Sequence, residues 1–228
     1  MMNVVKITAC ALAVVAATAT AVMAESIDVK VIGTISPAAC KPSLTGGGAI
    51  DYGTIPTASL KKDELYALEK KSLDFTITCD APAKIALNAI NGRPNTAAGM
   101  TETGVFAGAC PKSVPSLGDY CVGLGLDGKN KIGGYSAIVS DVLADGKTVG
   151  YIYKNTAAWA KSSVDYTWFY STSEVKQSWS TPGSVEPIAF KVLSGKFSVQ
   201  AYLNKTSELD LTKPIKLDGL TTIELVYL

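Results

Sequence analysis

Histidine is absent from the 228-residue chain, and arginine occurs once, as Arg93. Without an imidazole, a Ser or Cys nucleophile lacks its ordinary activating base, so the chain is not expected to be an enzyme of the triad type. One arginine and no cluster of lysines leave no surface that would neutralise a phosphate backbone, so no nucleic-acid partner is expected. There is no C-x-x-C pair to join the missing histidines, and the expectation is no metal and no cofactor. Paired carboxylates such as Glu208 and Asp210 are better explained as scattered surface charge than as an acid and a base.

Long apolar runs are also lacking, except at the start. Residues 1–6 form a short positive region, and 7–21 are an unbroken run of small and apolar residues, too short to span a bilayer comfortably. Val22-Met23-Ala24 offers small residues where a signal peptidase reads, so residues 1–24 are expected to be a signal peptide and Glu25 the first retained residue. The Ile7-Thr8-Ala9-Cys10 stretch has the residue types of a lipid-attachment box. Few residues precede its Cys, however, and the apolar run continues beyond it, so lipidation is disfavoured. Loss of Lys6 takes the basic residues from 21 to 20, equal to the 20 acidic ones, and the exported chain is neutral. No stable membrane insertion is expected. About 200 residues suffice for one sizeable core.

Four cysteines remain after processing, Cys40, Cys79, Cys110 and Cys121, an even number in a chain bound for an oxidising compartment. Two disulfides are expected. Sequence permits three connectivities, of which we favour Cys40 with Cys79 and Cys110 with Cys121.

What the chain has in abundance is short runs in which Val, Ile, Thr and Tyr alternate with polar residues between Gly, Asp, Asn and Pro. That pattern predicts an all-β antiparallel sandwich. The expected strands are 27–35, 49–55, 73–79, 83–89, 121–126, 149–153, 166–171, 188–193, 195–203 and 221–227. Asp127-Gly128 and Asp145-Gly146 are hairpin signals, and Gly46-Gly47-Gly48 and Gly133-Gly134 mark places where the backbone needs freedom. Residues 60–71 are read as a helical turn, and 92–162 as a long, irregular insertion.

Gly123, Gly125 and Gly128 match G-x-G-x-x-G, but a turn and further glycines follow where phosphate binding needs a helix, so a glycine-rich strand ending in a hairpin is the better reading. Tyr166, Trp168 and Tyr170 would share one strand face. They are either the inner face of the sandwich, which we favour, or a platform on which a sugar ring stacks.

The two ends carry the strongest signal. Ile27, Val29, Val31, Gly33 and Ile35 occupy every odd position of an alternating run that lies before the first of the four cysteines, where a strand is hard to cover unless something else receives it. The final run places Ile223, Leu225 and Tyr227 on one face of a strand whose edge must be paired or protected.

An alternating N-terminal extension with a central Gly, a Cys soon after it, a second Cys about forty residues on and a penultimate Tyr resemble the chaperone-usher pilins. The runs Ala39-Cys40-Lys-Pro-Ser-Leu-Thr-Gly-Gly-Gly, Asp51-Tyr-Gly-Thr-Ile-Pro56, Ile77-Thr-Cys-Asp-Ala-Pro82 and Ile223-Glu-Leu-Val-Tyr-Leu228 resemble the β-fimbria probable major subunit family. The resemblance implies an immunoglobulin-like sandwich lacking its last strand. A periplasmic chaperone fills the groove first, and the next subunit's extension fills it later, at an outer-membrane usher. It assigns residues 25–36 as the donor-strand extension and 37–228 as the sandwich domain. Ile27, Val29, Val31, Gly33 and Ile35 become the donor plugs, and Ile223, Leu225 and Tyr227 the strand that pairs with chaperone or donor. The partners implied are chaperone, usher and other copies of the subunit or neighbouring pilins, and the place implied is a fimbrium on the cell surface. The long central region, the Cys110 and Cys121 pair and the position of Gly219 depart from the usual pilin pattern. The competing expectation is a self-contained periplasmic or cell-surface carbohydrate-binding sandwich.

Overall fold

A computed structural model describes residues 27–34, 38–104, 106–155, 158–164, 166–168 and 175–228, the side chains of 166–168 excepted. The expected signal peptide, Ile35 and Tyr170 lie outside the described residues, as do the side chains of Tyr166 and Trp168. The chain divides into two units, Met1–Ser36 and Pro37–Leu228. In the first, residues 27–34 belong to no helix or strand. The strand expected there is therefore not formed: the alternation is present, but a strand exists only when its backbone groups are paired.

The second unit is all β. Its strands of four residues or more are β1 (Cys40–Leu44), β2 (Lys71–Asn91), β3 (Tyr120–Gly123), β4 (Gly133–Ala144), β5 (Gly150–Lys154), β6 (Lys176–Ser180), β7 (Ala189–Leu203) and β8 (Thr221–Tyr227). Every pairing between them is antiparallel. One layer runs β1-β2-β7-β4-β3, and the other runs β8-β2-β6-β5 and ends on the short strand Trp159–Lys161.

β2 belongs to both layers. Its first half pairs with β1 and β7, its second half with β8 and, at Leu87, with β6. The sequence pattern divided this stretch into two strands at Ala81-Pro82. The structure keeps it whole because the inward face continues across the bend, with Phe75, Ile77 and Cys79 buried before it and Ile85 and Leu87 after it. Pro82 cannot donate to a ladder, and it falls in the interval between the residues paired with β1 and those paired with β8. A register shift between Phe190 and Val192 bends β7 at the same level.

β7 likewise joins the two runs expected at 188–193 and 195–203. β4 is not among the expected strands: the stretch read as an irregular insertion contains this twelve-residue strand, and Gly133 and Gly134 belong to it rather than to a loop. A Cβ on Gly133 would lie 2.1 Å from the Tyr202 carbonyl oxygen, and one on Gly134 2.5 Å from the Tyr202 hydroxyl. Glycine is used at both for close approach across the sheet. Both Asp-Gly hairpins form, with Asp127 paired to Asn130 and Ala144 to Lys147. Residues 60–71 contain no helix, only the two-residue strand Tyr66–Ala67 before β2 begins. Residues 49–55 are also irregular, contrary to expectation, because no neighbouring strand supplies bonds on either side.

The core lies between the layers, with Trp179, Phe75, Phe190, Ile77, Ile85 and Leu193 fully buried. Trp179 meets Phe190 edge to face at 6.0 Å, and each such side chain stabilises by about 1.5–3 kcal/mol. Disulfides join Cys40 to Cys79 and Cys110 to Cys121. They mark an oxidising, exported compartment. The second closes an insertion between β2 and β3 that has its own small core of Ala98, Val114, Cys121 and Tyr202.

Candidate functional site

β1 and β8 lie on the side of β2 away from β7, and each is bonded on one edge only. They meet at the bend of β2, where the Cys40 amide donates to the Tyr227 hydroxyl at 2.8 Å. From that apex they part. One rim continues from β1 through the left-handed glycines Gly46, Gly47 and Gly48 to Ile50 and Tyr52; the other runs back from β8 through Leu220 and Gly219 to Leu217 and Ile215.

Between the rims is a groove of about 680 Å³, floored by Phe75, Phe197, Val199, Leu124 and Tyr135. A second cavity of about 610 Å³ extends it towards Leu60, Leu203 and Leu211, and the two share Ile50, Tyr52 and Leu217 in their walls. The open side of the sandwich is thus a long apolar trough with unpaired strand edges. Such an edge is a template for another strand.

The polar groups of the trough are tied to its walls. Tyr135 and Thr221 share a short hydroxyl hydrogen bond. Burial pushes the Tyr135 phenol up to about 12, against the opposing effects of that bond and of Arg93. Tyr52 donates to the Val199 carbonyl at 3.4 Å, and burial raises its phenol as well. Glu208 and Asp210, weighed as an acid and base pair, are each held below the ordinary carboxylate value by their own neighbours, Lys205 with Asn204 for the first and Thr212 for the second.

Of the residues assigned to the final strand, Ile223 lines the groove, Leu225 is half-buried against the core and Tyr227 closes the apex. The strand itself has the bounds expected. Of the odd positions assigned as donor plugs, the described ones are exposed, and Ile35 lies outside the described residues. Ile27 is 90%, Val29 83% and Val31 95% exposed, and nothing lies within 4 Å of where a Gly33 Cβ would be. Ile32, on the other face of the run, is exposed as well. The sequence reading missed the opposite rim and the stretch leading into β8. The spacing-two pairs Ile50 with Tyr52 and Ile215 with Leu217 were the available signal. Gly123, Gly125 and Gly128 end β3 and turn the hairpin that follows, and among the described residues no helix N-terminus meets them. Of the aromatic trio only the backbone of Tyr166–Trp168 is described, paired with β4.

A family model described as a protein of unknown function (DUF1120) matches residues 29–136. Protein GltF of Escherichia coli is 27% identical, over 96% of this chain and 94% of its own length. The uncharacterized protein YhcF of Escherichia coli is 26% identical over the whole of both chains. No solved structure matches significantly. These likenesses name no pilin and state no role.

Proposed function

We propose that the protein is a structural subunit of a chaperone-usher type fimbria, polymerising by donor-strand exchange, and that its role is architectural rather than catalytic. The observation that carries this reading is a pairing of opposites within one chain. The sandwich has an apolar trough between two half-bonded strands, and the same chain carries an exposed, alternating apolar run with no strand partner.

Each defect is what the other needs. A run of extended residues laid along β8 would bond to its free edge and bury alternate side chains in the trough, with backbone bonds supplying affinity and side chains supplying register. Ile27, Val29 and Val31 would each gain about 1.5–3 kcal/mol on full burial. Donation from one copy to the next is a heterologous contact that does not close on itself, so it builds a filament. Before assembly the trough needs a temporary occupant, which is the part a periplasmic chaperone plays, and an outer-membrane usher would then pass subunits into a fimbrium on the cell surface.

The test is deletion of residues 25–35. The shortened protein is expected to stay folded with its chaperone and to form no fibres by electron microscopy, while still capping fibres made by the intact protein. Fibres of normal length from the deletion variant would refute the proposal. A deletion variant unable to fold even with chaperone would assign the run to its own sandwich instead, and favour a self-contained domain.

A further inference from the structure

The rim between Lys213 and Leu220 is irregular, yet it forms one wall of the groove. Its backbone is held at two places: Asp218 donates to the Leu124 carbonyl at 3.0 Å, and the Leu220 carbonyl accepts from the Gly92 amide at 2.9 Å. Side chains supply the rest. Lys213 pairs with Asp127 at 3.0 Å. Arg93, the sole arginine of the chain, grips Asp218 with two parallel bonds, Nε to Oδ2 and Nη2 to Oδ1, each 2.7 Å. A bidentate grip of this kind fixes direction as well as distance.

Arg93 is itself fixed from behind. Its Nη1 donates to the Gly92 carbonyl, its backbone amide to Asn91 Oδ1 at 2.9 Å, and its carbonyl accepts from Thr96. Asn91, the last residue of β2, donates through Nδ2 to Glu102 Oε1 at 2.6 Å, and Glu102 Oε2 accepts from the Ala97 amide at 2.8 Å. Asn91 and Glu102 are both buried. A carboxylate so enclosed is costly unless its oxygens are satisfied, and here they are satisfied by the root of the insertion that the Cys110–Cys121 disulfide closes. A continuous path of bonds therefore runs from buried Glu102 through Asn91 and Arg93 to Asp218 on the groove wall.

We infer that the insertion is a brace for the groove, and that Arg93 is a positioning residue that holds the wall at 217–220 in the conformation that admits a strand. This rests on the proposed reading of the groove as a strand acceptor. The physical reason is that Ile215 and Leu217 border an apolar trough and have no strand ladder of their own to keep them out of it. Without Arg93, the wall has fewer bonds opposing its collapse onto the floor, and an entering strand must first lift it away. Capture then becomes slower, while the captured strand, once seated, holds the wall by itself.

Two measurements on the full chain test this separately from the proposed function. The first is amide hydrogen exchange at 217–221 with no strand added, in the wild type and in Arg93→Lys, which keeps the charge and loses the fork. The brace predicts faster exchange there in the variant, with the thermal midpoint essentially unmoved. The second follows association and dissociation of a labelled synthetic peptide with the sequence of residues 25–36. Arg93→Lys and Asp218→Asn should slow association by about three- to tenfold, the range for a partly exposed bidentate pair, and leave dissociation nearly unchanged. The exchanged pair Arg93→Asp with Asp218→Arg should recover part of the rate. Unchanged exchange at 217–221 in Arg93→Lys overturns the brace whether or not the peptide binds. A wild type that exchanges as predicted but captures no peptide overturns the acceptor reading and, with it, the assignment of Arg93 to strand entry.

Discussion

β2 and β8 share seven paired residues, from Asn91 with Thr221 to Ile85 with Tyr227, yet they live in different surroundings. β2 has β1 and β8 along one edge and β7 and, at Leu87, β6 along the other, and it buries Phe75, Ile77, Ile85 and Leu87. β8 is bonded on one edge, its residues are half-buried or exposed, and Tyr227 is about half accessible. Both have the same period-two pattern. The difference is what lies beyond the far edge: β7 and, at Leu87, β6 for the one, the trough for the other. On the proposed function, the two layer edges left unpaired on the same side are where a further strand enters.

The contrast can be broken most severely at the link between the groove's first rim and β2. Replacing Cys40 and Cys79 together by Ala removes the covalent link between β1 and β2 and leaves only their ladder, and on the chain-entropy account it should cost about 4 kcal/mol, read as a lowered midpoint in urea. A loss confined to β1, with the midpoint unmoved, would show that the disulfide serves the rim alone. Within β2 the fully buried Ile77→Ala should cost about 3 kcal/mol in the same measurement. Groove chemistry gives the next effect. Because the Tyr135 phenol is raised from 10 to about 12 in the folded protein, the folded state keeps its proton when the unfolded state has lost it. The associated stability is complete below pH 10 and is lost as pH rises towards 12, about 2–3 kcal/mol in all. Tyr135→Phe should flatten that alkaline decline, as seen in denaturation curves at a series of pH values. Smallest is Leu225→Ala on the half-covered strand, about 1 kcal/mol in the isolated protein. A larger cost at Leu225 than at Ile77 would contradict the picture of β8 as an uncovered edge.

Much of this molecule could be read from residue order. The all-β class, both disulfide partners, the two Asp-Gly hairpins and the bounds of β8 followed from alternation, cysteine parity and turn chemistry, which are local properties. Elsewhere local rules pointed the wrong way, because contacts distant in sequence decide those positions. Gly133 and Gly134 have the composition of a loop but lie in a strand, since the Tyr202 backbone and ring occupy the space a side chain would need. Pro82 looks like a break, but the chain runs on through it, because its missing donor falls in the seam between β1 and β8. Residues 27–34 and 49–55 alternate like strands and are not strands, as neither has a ladder partner. The insertion was seen only as an excess of length. Its path of bonds from Glu102 is local as far as Arg93 and then crosses to Asp218, 125 positions away, which no spacing rule anticipates.

The central claim is that the free edge of β8 takes a strand with the sequence of residues 27–35. Hydrogen exchange of the individual Thr221–Tyr227 amides tests it most directly, measured on the full chain alone and after addition of that peptide. In the free protein the amides bonded to β2 should be protected and those on the other edge should exchange rapidly. With peptide present, the second set should become as slow as the first, while a peptide with Ile27, Val29 and Val31 changed to Asp should leave them fast. Outer-edge amides that exchange at the same rate with and without the peptide would contradict the account.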